Sequence, residues 1–321
     1  MSTNNSIYGG QAVLEGVMFA GGNVQVTAVR KKDGTLDYLE VPKKEIKWIQ
    51  MLKKIPLIRG IVGIVESSAK GAQHLNFSAE AMVEDEDDKQ EESKKQEKGG
   101  MFSNLSMVLG VAVIGVISFL FGKFVFTLVP VFIEQLLFQN VFSNQIGHNL
   151  LEGLIKTILL VGYIYFISLT PMMKRLFQYH GAEHKVISAY EAGVDLTVKN
   201  VQKFSTLHYR CGSSFMVFTV IVGVVVYSFL PYDSLLERVL QRLIMLPLVI
   251  GISYELLRFT NSLRTVPVLR YLGYPGLWLQ MLTTKQPFDD QVEVSIASFN
   301  RMREAEQRIK EERLYEKTLH N

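Results

Sequence analysis

Four stretches of this 321-residue chain, 104–130, 150–171, 213–231 and 239–257, run almost without charge. Each is about the 20 residues or more that a helix needs to cross the hydrocarbon of a bilayer. Four such runs predict a mainly α, polytopic membrane protein with about four transmembrane helices. The 48% hydrophobic content fits, because the apolar residues collect in those runs. Basic residues set the expected orientation. Residues 131–149 carry no Lys or Arg, whereas Lys174, Arg175, Lys185, Lys199, Lys203 and Arg210 fall between the second and third runs, and Arg258, Arg264 and Arg270 follow the fourth. By the positive-inside rule both termini and the loop 172–212 are cytoplasmic. The single Cys excludes an intrachain disulfide and suits that reducing side. No signal peptide is expected in the first hundred residues. A net charge of +3 gives no reason to expect DNA binding. With no internal repeat and no charge expected mid-span, nothing favours a transporter.

Residues 1–83 read as an N-terminal cytoplasmic α+β region. Its Gly-rich stretch, Gly9 to Gly16, matches neither a dinucleotide nor a P-loop fingerprint and is expected to supply tight turns or close packing. Alternation over Val24 to Val29, the turn pair Asp33-Gly34 and the run Tyr38 to Val41 predict a β-hairpin. From Glu45 to about Ala81 the pattern is helical, with Lys43, Lys44, Lys47, Lys53, Lys54 and Trp48 early in it; such an amphipathic helix is expected to lie at the membrane interface. Residues 84–100 form a charged linker expected to be disordered. The four-span domain occupies 101–257, and 258–321 holds an interfacial segment followed by a charged helix. Asp290 and Glu293 are expected to box its start, and its half beyond Arg301 to project into solvent or meet a polar partner.

The reactive side chains concentrate in the loop 172–212. If Tyr179 to Lys185 is helical, His180 and His184 share a face with Glu183 beside it, and Glu191 returns to that face two turns later. His208 and Cys211 add an imidazole and the only thiol, and Thr197 can cap a short helix that brings the two pairs together. Three readings stand side by side. In the first, His180, His184 and one of His208, Cys211 or Glu191 hold zinc or another divalent metal and leave a water position for Glu183 as acid/base, as in the H-x-x-E-H metalloproteases. In the second, His180, His184, His208 and Cys211 close a structural tetrahedron. In the third no metal binds, and Glu183 pairs with Lys185 or Arg210. His74 and His148 are expected at the surface, and Glu255 and Arg258 within reach of the cluster.

Gly9 to Met18, Tyr179 to Lys185, His208 to Phe215, and Leu279 to Thr284 with Glu293-Val294 together resemble the YqhQ-like family of bacterial multi-pass membrane proteins. The resemblance implies a bacterial cell-membrane location and a domain of unknown function often labelled a predicted metal-dependent enzyme. The rival expectation is non-enzymatic: a cytoplasmic face that docks on a membrane machine such as the protein translocon, or on a membrane-bound ribosome.

Overall fold

The computed structural model describes residues 8–43, 46–87, 121–122 and 124–319. Most of the first apolar run, the linker beyond Asp87, and His320 lie outside the described residues. The chain is mainly helical with an antiparallel sheet near its N-terminus. That sheet is a meander of β1 (Gly9–Val13), β2 (Gly16–Ala20), β3 (Val24–Arg30) and β4 (Leu36–Pro42), in the order β1-β2-β3-β4. The expected hairpin is β3–β4, closed through Gly34 at φ 89°. The Gly-rich stretch, expected to supply tight turns or close packing, forms the hairpin β1–β2 with its turn at Leu14-Glu15. Gly16 explains the glycine content, because a Cβ there would sit 2.1 Å from the Ala28 carbonyl oxygen.

Both faces of the sheet are covered. Val17, Phe19, Val24, Val26 and Ala28 pack against α5 (Pro171–Glu191) and the final helix α11 (Asp289–Leu319). Val13 and Val29 face Phe77 and Ala81 of α2 (Ile58–Asp87). Alternation in β3 thus reports two covered faces, not one wet face. His74 on α2, expected at the surface, is fully buried with Nδ1 2.6 Å from the Thr27 hydroxyl. Burial holds its pKa down at about 4. The folded state therefore refuses a proton that the unfolded chain accepts below about pH 6.5. Stability attributable to His74 is complete above that pH, drains as pH falls toward 4 and levels off below it, a change of up to about 3 kcal/mol. Denaturation midpoints of wild type and His74→Gln, compared between pH 7 and 4, should converge by that amount on acidification.

Pro56 and Leu57 (φ 68°) separate α2 from the short α1 (Lys47–Leu52). The first turns of α2 pack on α9 (Leu246–Ser262), where Gly60 lets the Tyr254 ring approach and Arg59 pairs with Glu255. Glu255 is therefore spent on α2 and does not reach the histidines. The charged half of α11 turns back onto its own sheet. Glu306 accepts from the Tyr8 hydroxyl at 3.1 Å and the Gly22 N–H at 2.8 Å, and Arg301 and Arg308 clasp Glu40. The helix start is boxed by Gln291, which accepts from the Phe288 N–H at 2.9 Å, while Glu293 pairs with Arg30.

Among the described residues one helix, α4 (Gln145–Ser168), is long and apolar enough to cross a membrane; α3 (Phe124–Phe138) and α7 (Ser214–Ser228) are shorter apolar helices. The run 239–257 is divided at Met245 between α8 (Leu235–Ile244) and α9, with Pro247 in the first turn of α9. Charges do enter the bundle. Arg238 and Arg242 of α8 are fully buried against Glu134 of α3 and Glu152 of α4. His148, also expected at the surface, is half-buried, with Nδ1 2.5 Å from Glu134. Thr170-Pro171 ends α4 and starts α5, which carries the histidines out of the bundle and along the sheet.

Candidate metal centre

On α5 the sequence H-x-x-E-H is helical, and His180 and His184 come within 4.5 Å ring to ring. Close packing sets the helix in place, because a Cβ on Gly181 would lie 2.2 Å from the Lys285 carbonyl oxygen. The return between the motifs is α6 (Val198–Val201), capped by Thr197, whose hydroxyl accepts from the Asn200 N–H at 3.3 Å. It delivers Thr206 and the turn 208–211 to the histidines. That turn is clamped by Gln280 of α10 (Tyr274–Thr283): its oxygen accepts from the His208 N–H at 2.8 Å, and its amide donates to the His208 carbonyl at 2.8 Å.

Both imidazoles have their tautomers fixed. His180 Nδ1 lies 2.8 Å from the Thr283 carbonyl and His184 Nδ1 lies 2.5 Å from the Thr206 carbonyl. A carbonyl can only accept, so each Nδ1 bears the proton and each Nε2 offers a lone pair. These lone pairs gather at Cys211: His180 Nε2 is 3.2 Å from its sulfur, and the His184 ring lies 4.5 Å from that of His180. Ligand atoms of His180, His184 and Cys211 all fall within 4.8 Å of one another. Tetrahedral zinc with N and S ligands spaces them about 3.3–3.8 Å apart, so the widest pair would close by about 1.0–1.5 Å to complete three bonds. One S–H proton cannot satisfy two imidazole lone pairs, and a thiolate satisfies neither; a cation satisfies all three. The Ser213 hydroxyl, 3.0 Å from the sulfur, steadies it from the other side.

His208 lies nearby, its ring 5.7 Å from that of His184, but is differently engaged. Its Nδ1 accepts from the Arg210 N–H at 3.3 Å, and its Nε2 faces Glu191 at 3.8 Å. Glu191 itself is held by Arg210. Three of the four expected ligands thus bring ligand atoms within 4.8 Å of one another, and the fourth is turned to Arg210 and Glu191.

Glu183 is 5% exposed and reaches the same cavity of about 320 Å³ as His180, His184, His208 and Cys211. Neither cation expected beside it is there. Lys185 donates to the Gln202 and Phe204 carbonyls at 2.8 and 2.6 Å, and Arg210 goes to Glu191. Among the described residues no Lys or Arg pairs with Glu183; the backbone N–H of Gly10 meets it instead. Burial pushes its carboxyl up, opposed by charge on His180 and His208 and by that N–H. Burial likewise pushes His184 and His208 down. Gly10 is required here, since a Cβ would stand 2.9 Å from the Glu183 carboxyl carbon.

The family described as "Protein of unknown function (DUF1385)" matches residues 55–305. The chain belongs to that family. It is 55% identical over 299 residues to the Bacillus subtilis (strain 168) "Uncharacterized protein YqhQ", covering 92% of each chain. The YqhQ-like resemblance is therefore established, and no function comes with it. No solved structure matches the chain. Gln280, Thr206, Thr283, Ser213 and Gly10 shape the site without any spacing signal that marks them. Of these, Gly10, Ser213, Gln280 and Thr283 fall inside the four stretches on which the resemblance was read.

Proposed function

We propose that this is a multi-pass membrane protein whose cytoplasmic face carries a divalent-metal centre, zinc on His180, His184 and Cys211, that catalyses hydrolysis with Glu183 as general base. The observation that carries the reading is the convergence of two Nδ1-protonated imidazoles and one sulfur, all acceptors, beside a buried carboxylate that no Lys or Arg pairs among the described residues. Three protein ligands leave a fourth position open, the arrangement of catalytic rather than closed structural zinc sites. Bound there, zinc supplies a water acidified to near neutrality and polarises the acyl oxygen. Glu183 takes one proton from the attacking water, whose oxygen bonds to the acyl carbon. It then returns the proton to the leaving nitrogen or oxygen as the acyl bond breaks. Thr206 and Thr283, through their carbonyls, hold the imidazoles in the ligating tautomer.

Membrane placement rests on the four apolar runs, on the basic residues gathered beyond α4, and on α4 itself. Ile146, Leu150, Leu154, Ile158 and Phe166 each present more than half their surface outward, as a lipid-facing helix does and a core helix does not. Elemental analysis of detergent-purified protein tests the metal. About one zinc per chain is expected for wild type, and well under 0.2 for Cys211→Ala and His184→Ala. His208→Ala should keep its metal. A fully folded wild type without any transition metal overturns the reading.

A further inference from the structure

His180, Phe177 and Ser213 line two cavities, the polar one that Glu183 reaches and a larger one of about 520 Å³. The larger has the size of a ligand pocket. Among the described residues its walls are mostly apolar side chains of α3, α4 and α7, such as Phe126, Leu160, Ile164, Phe215 and Val220. Its polar groups are unevenly placed. Thr219 spends its hydroxyl inside α7, donating to the Met216 carbonyl at 2.7 Å. His180, Ser213 and Thr283 gather at one end of the chamber. Lys156 and Val220 mark the other, where they also line a small cavity beside Glu152 and Tyr227.

The helices give this chamber a direction and a length. α4 meets it first at Lys156 and last at Ile167, shortly before α5 begins, and α7 runs back along it from Ser213 to Val220. Lys156 to Ile167 is about 16 Å of helix. One leaflet of hydrocarbon is about 15 Å deep, half of a bilayer core of about 30 Å. The chamber therefore matches one acyl chain standing in its leaflet, with the polar end at His180. A side entrance fits the same occupant. An outer groove of α3 and α4, with Val125, Val129, Ile158 and Phe166, shares Phe126 and Tyr163 with the chamber. Those two rings meet edge to face, 5.4 Å apart, so side chains that can rotate stand between the chamber and the outward face of α4. A peptide in the chamber would leave backbone N–H and C=O groups unpaired among apolar walls, a cost that an alkyl chain does not carry.

We propose that the substrate of the metal centre is a membrane lipid ester whose fatty acyl chain fills this chamber, with its carbonyl at His180 and its headgroup in the polar cavity. The inference rests on the hydrolase reading for its chemistry and names the substrate class. Water adds its oxygen to the acyl carbon, and the bond from that carbon to the headgroup oxygen breaks. The proton carried by Glu183 ends on that oxygen, so a fatty acid and a free headgroup alcohol leave and nothing is oxidised or reduced.

The test uses the full chain in phosphatidylcholine nanodiscs that contain palmitoyl-lysophosphatidylcholine with a diazirine at the chain tip or beside the carbonyl. Residues labelled on illumination are located by mass spectrometry. The tip probe is expected to mark Leu160 and Val220, and the carbonyl-side probe Phe177 and Ser213. Gly122→Phe should lower both by at least tenfold, because Gly122 lines the chamber and a Cβ there meets nothing within 4 Å, leaving room for a ring to occupy the acyl site. Labelling confined to outward residues such as Leu154, Ile158 and Phe166 overturns the proposal. So does an identical pattern from both probes, or chamber labelling that Gly122→Phe leaves unchanged. Zinc and released palmitate are measured in the same sample. Ordered chamber labelling without zinc or palmitate would sink the hydrolase reading and uphold the chain's place in the chamber. Zinc with cleavage of a soluble acetyl ester, but only outward labelling, would sink the lipid substrate alone.

Discussion

Replacing Glu152 by Ala should cost about 3–5 kcal/mol and lower the melting temperature of the purified protein by on the order of 10 °C. Glu152 is the hinge of the buried charge network. One of its oxygens accepts from Arg238 at 2.7 Å and from Arg242 at 2.9 Å, and the other accepts from Arg242 Nε at 3.1 Å. Arg238 reaches on to Glu134 at 2.5 Å, Arg242 reaches Asn149 at 2.6 Å, and the Arg242 guanidinium sits 3.9 Å from the centre of the Tyr227 ring. Two guanidiniums face two carboxylates, and the His148 ring shares Glu134 with Arg238. Deleting Glu152 leaves an uncompensated positive charge on side chains with no exposed surface. Glu152→Gln keeps acceptor geometry to one arginine and should fall between. The double variant Glu152→Leu with Arg242→Met should recover much of the loss, because the penalty lies in the unpaired charge and not in the absence of the pair. A Glu152→Ala protein that melts within 2 °C of wild type would show the network to be hydrated and of little weight.

That network was invisible in the amino-acid order for a physical reason. Glu134, Glu152 and Arg238 are separated by 18 and 86 positions, and a single charge in an apolar run is read as a tolerated exception until a partner is seen across the bundle. Local signals fared better. The β3–β4 hairpin follows from alternation plus Asp33-Gly34, and the α6 cap from Thr197, because backbone chemistry within four residues decides both. The strands β1 and β2 were missed because glycine has no strand preference of its own. Gly10 and Gly16 are extended since neighbours press on them, Glu183 in one case and Ala28 in the other.

The candidate site was half legible. Helical spacing placed His180, Glu183 and His184 together correctly, because the i, i+4 rule needs nothing beyond the helix. The pair His208 and Cys211 looks equivalent on spacing, yet the turn that carries it gives the two residues different partners. The Cys211 N–H closes the turn onto the His208 carbonyl, and the His208 ring is consumed by Arg210 and Glu191. Similarly, the expected partners of Glu183 were Lys185 and Arg210, the cations that flank the two motifs. Lys185 found backbone carbonyls of the α6 return, which no spacing rule anticipates.

The unpaired state of Glu183 makes Glu183→Gln diagnostic in two directions at once. Gln keeps the shape and can still accept from the Gly10 N–H, but it carries no charge to be desolvated. If the carboxylate is retained for chemistry, the fold gains from its removal, as happens when a catalytic group is held in an unfavourable place. In chelator-treated protein Glu183→Gln is therefore expected to melt a few degrees above wild type, a gain of about 1–2 kcal/mol. With zinc restored, its metal content should equal that of wild type, since none of the three ligating atoms is altered. Hydrolysis of a fluorogenic acyl substrate should fall by about 10²–10⁴-fold, the share of the rate that a positioned general base supplies. A variant that melts below wild type and cleaves at an unchanged rate would reassign Glu183 to the fold, as an anchor for the Gly9-Gly10 strand. The opposite pair, higher stability with lost turnover, is what a buried proton carrier produces and a structural carboxylate cannot.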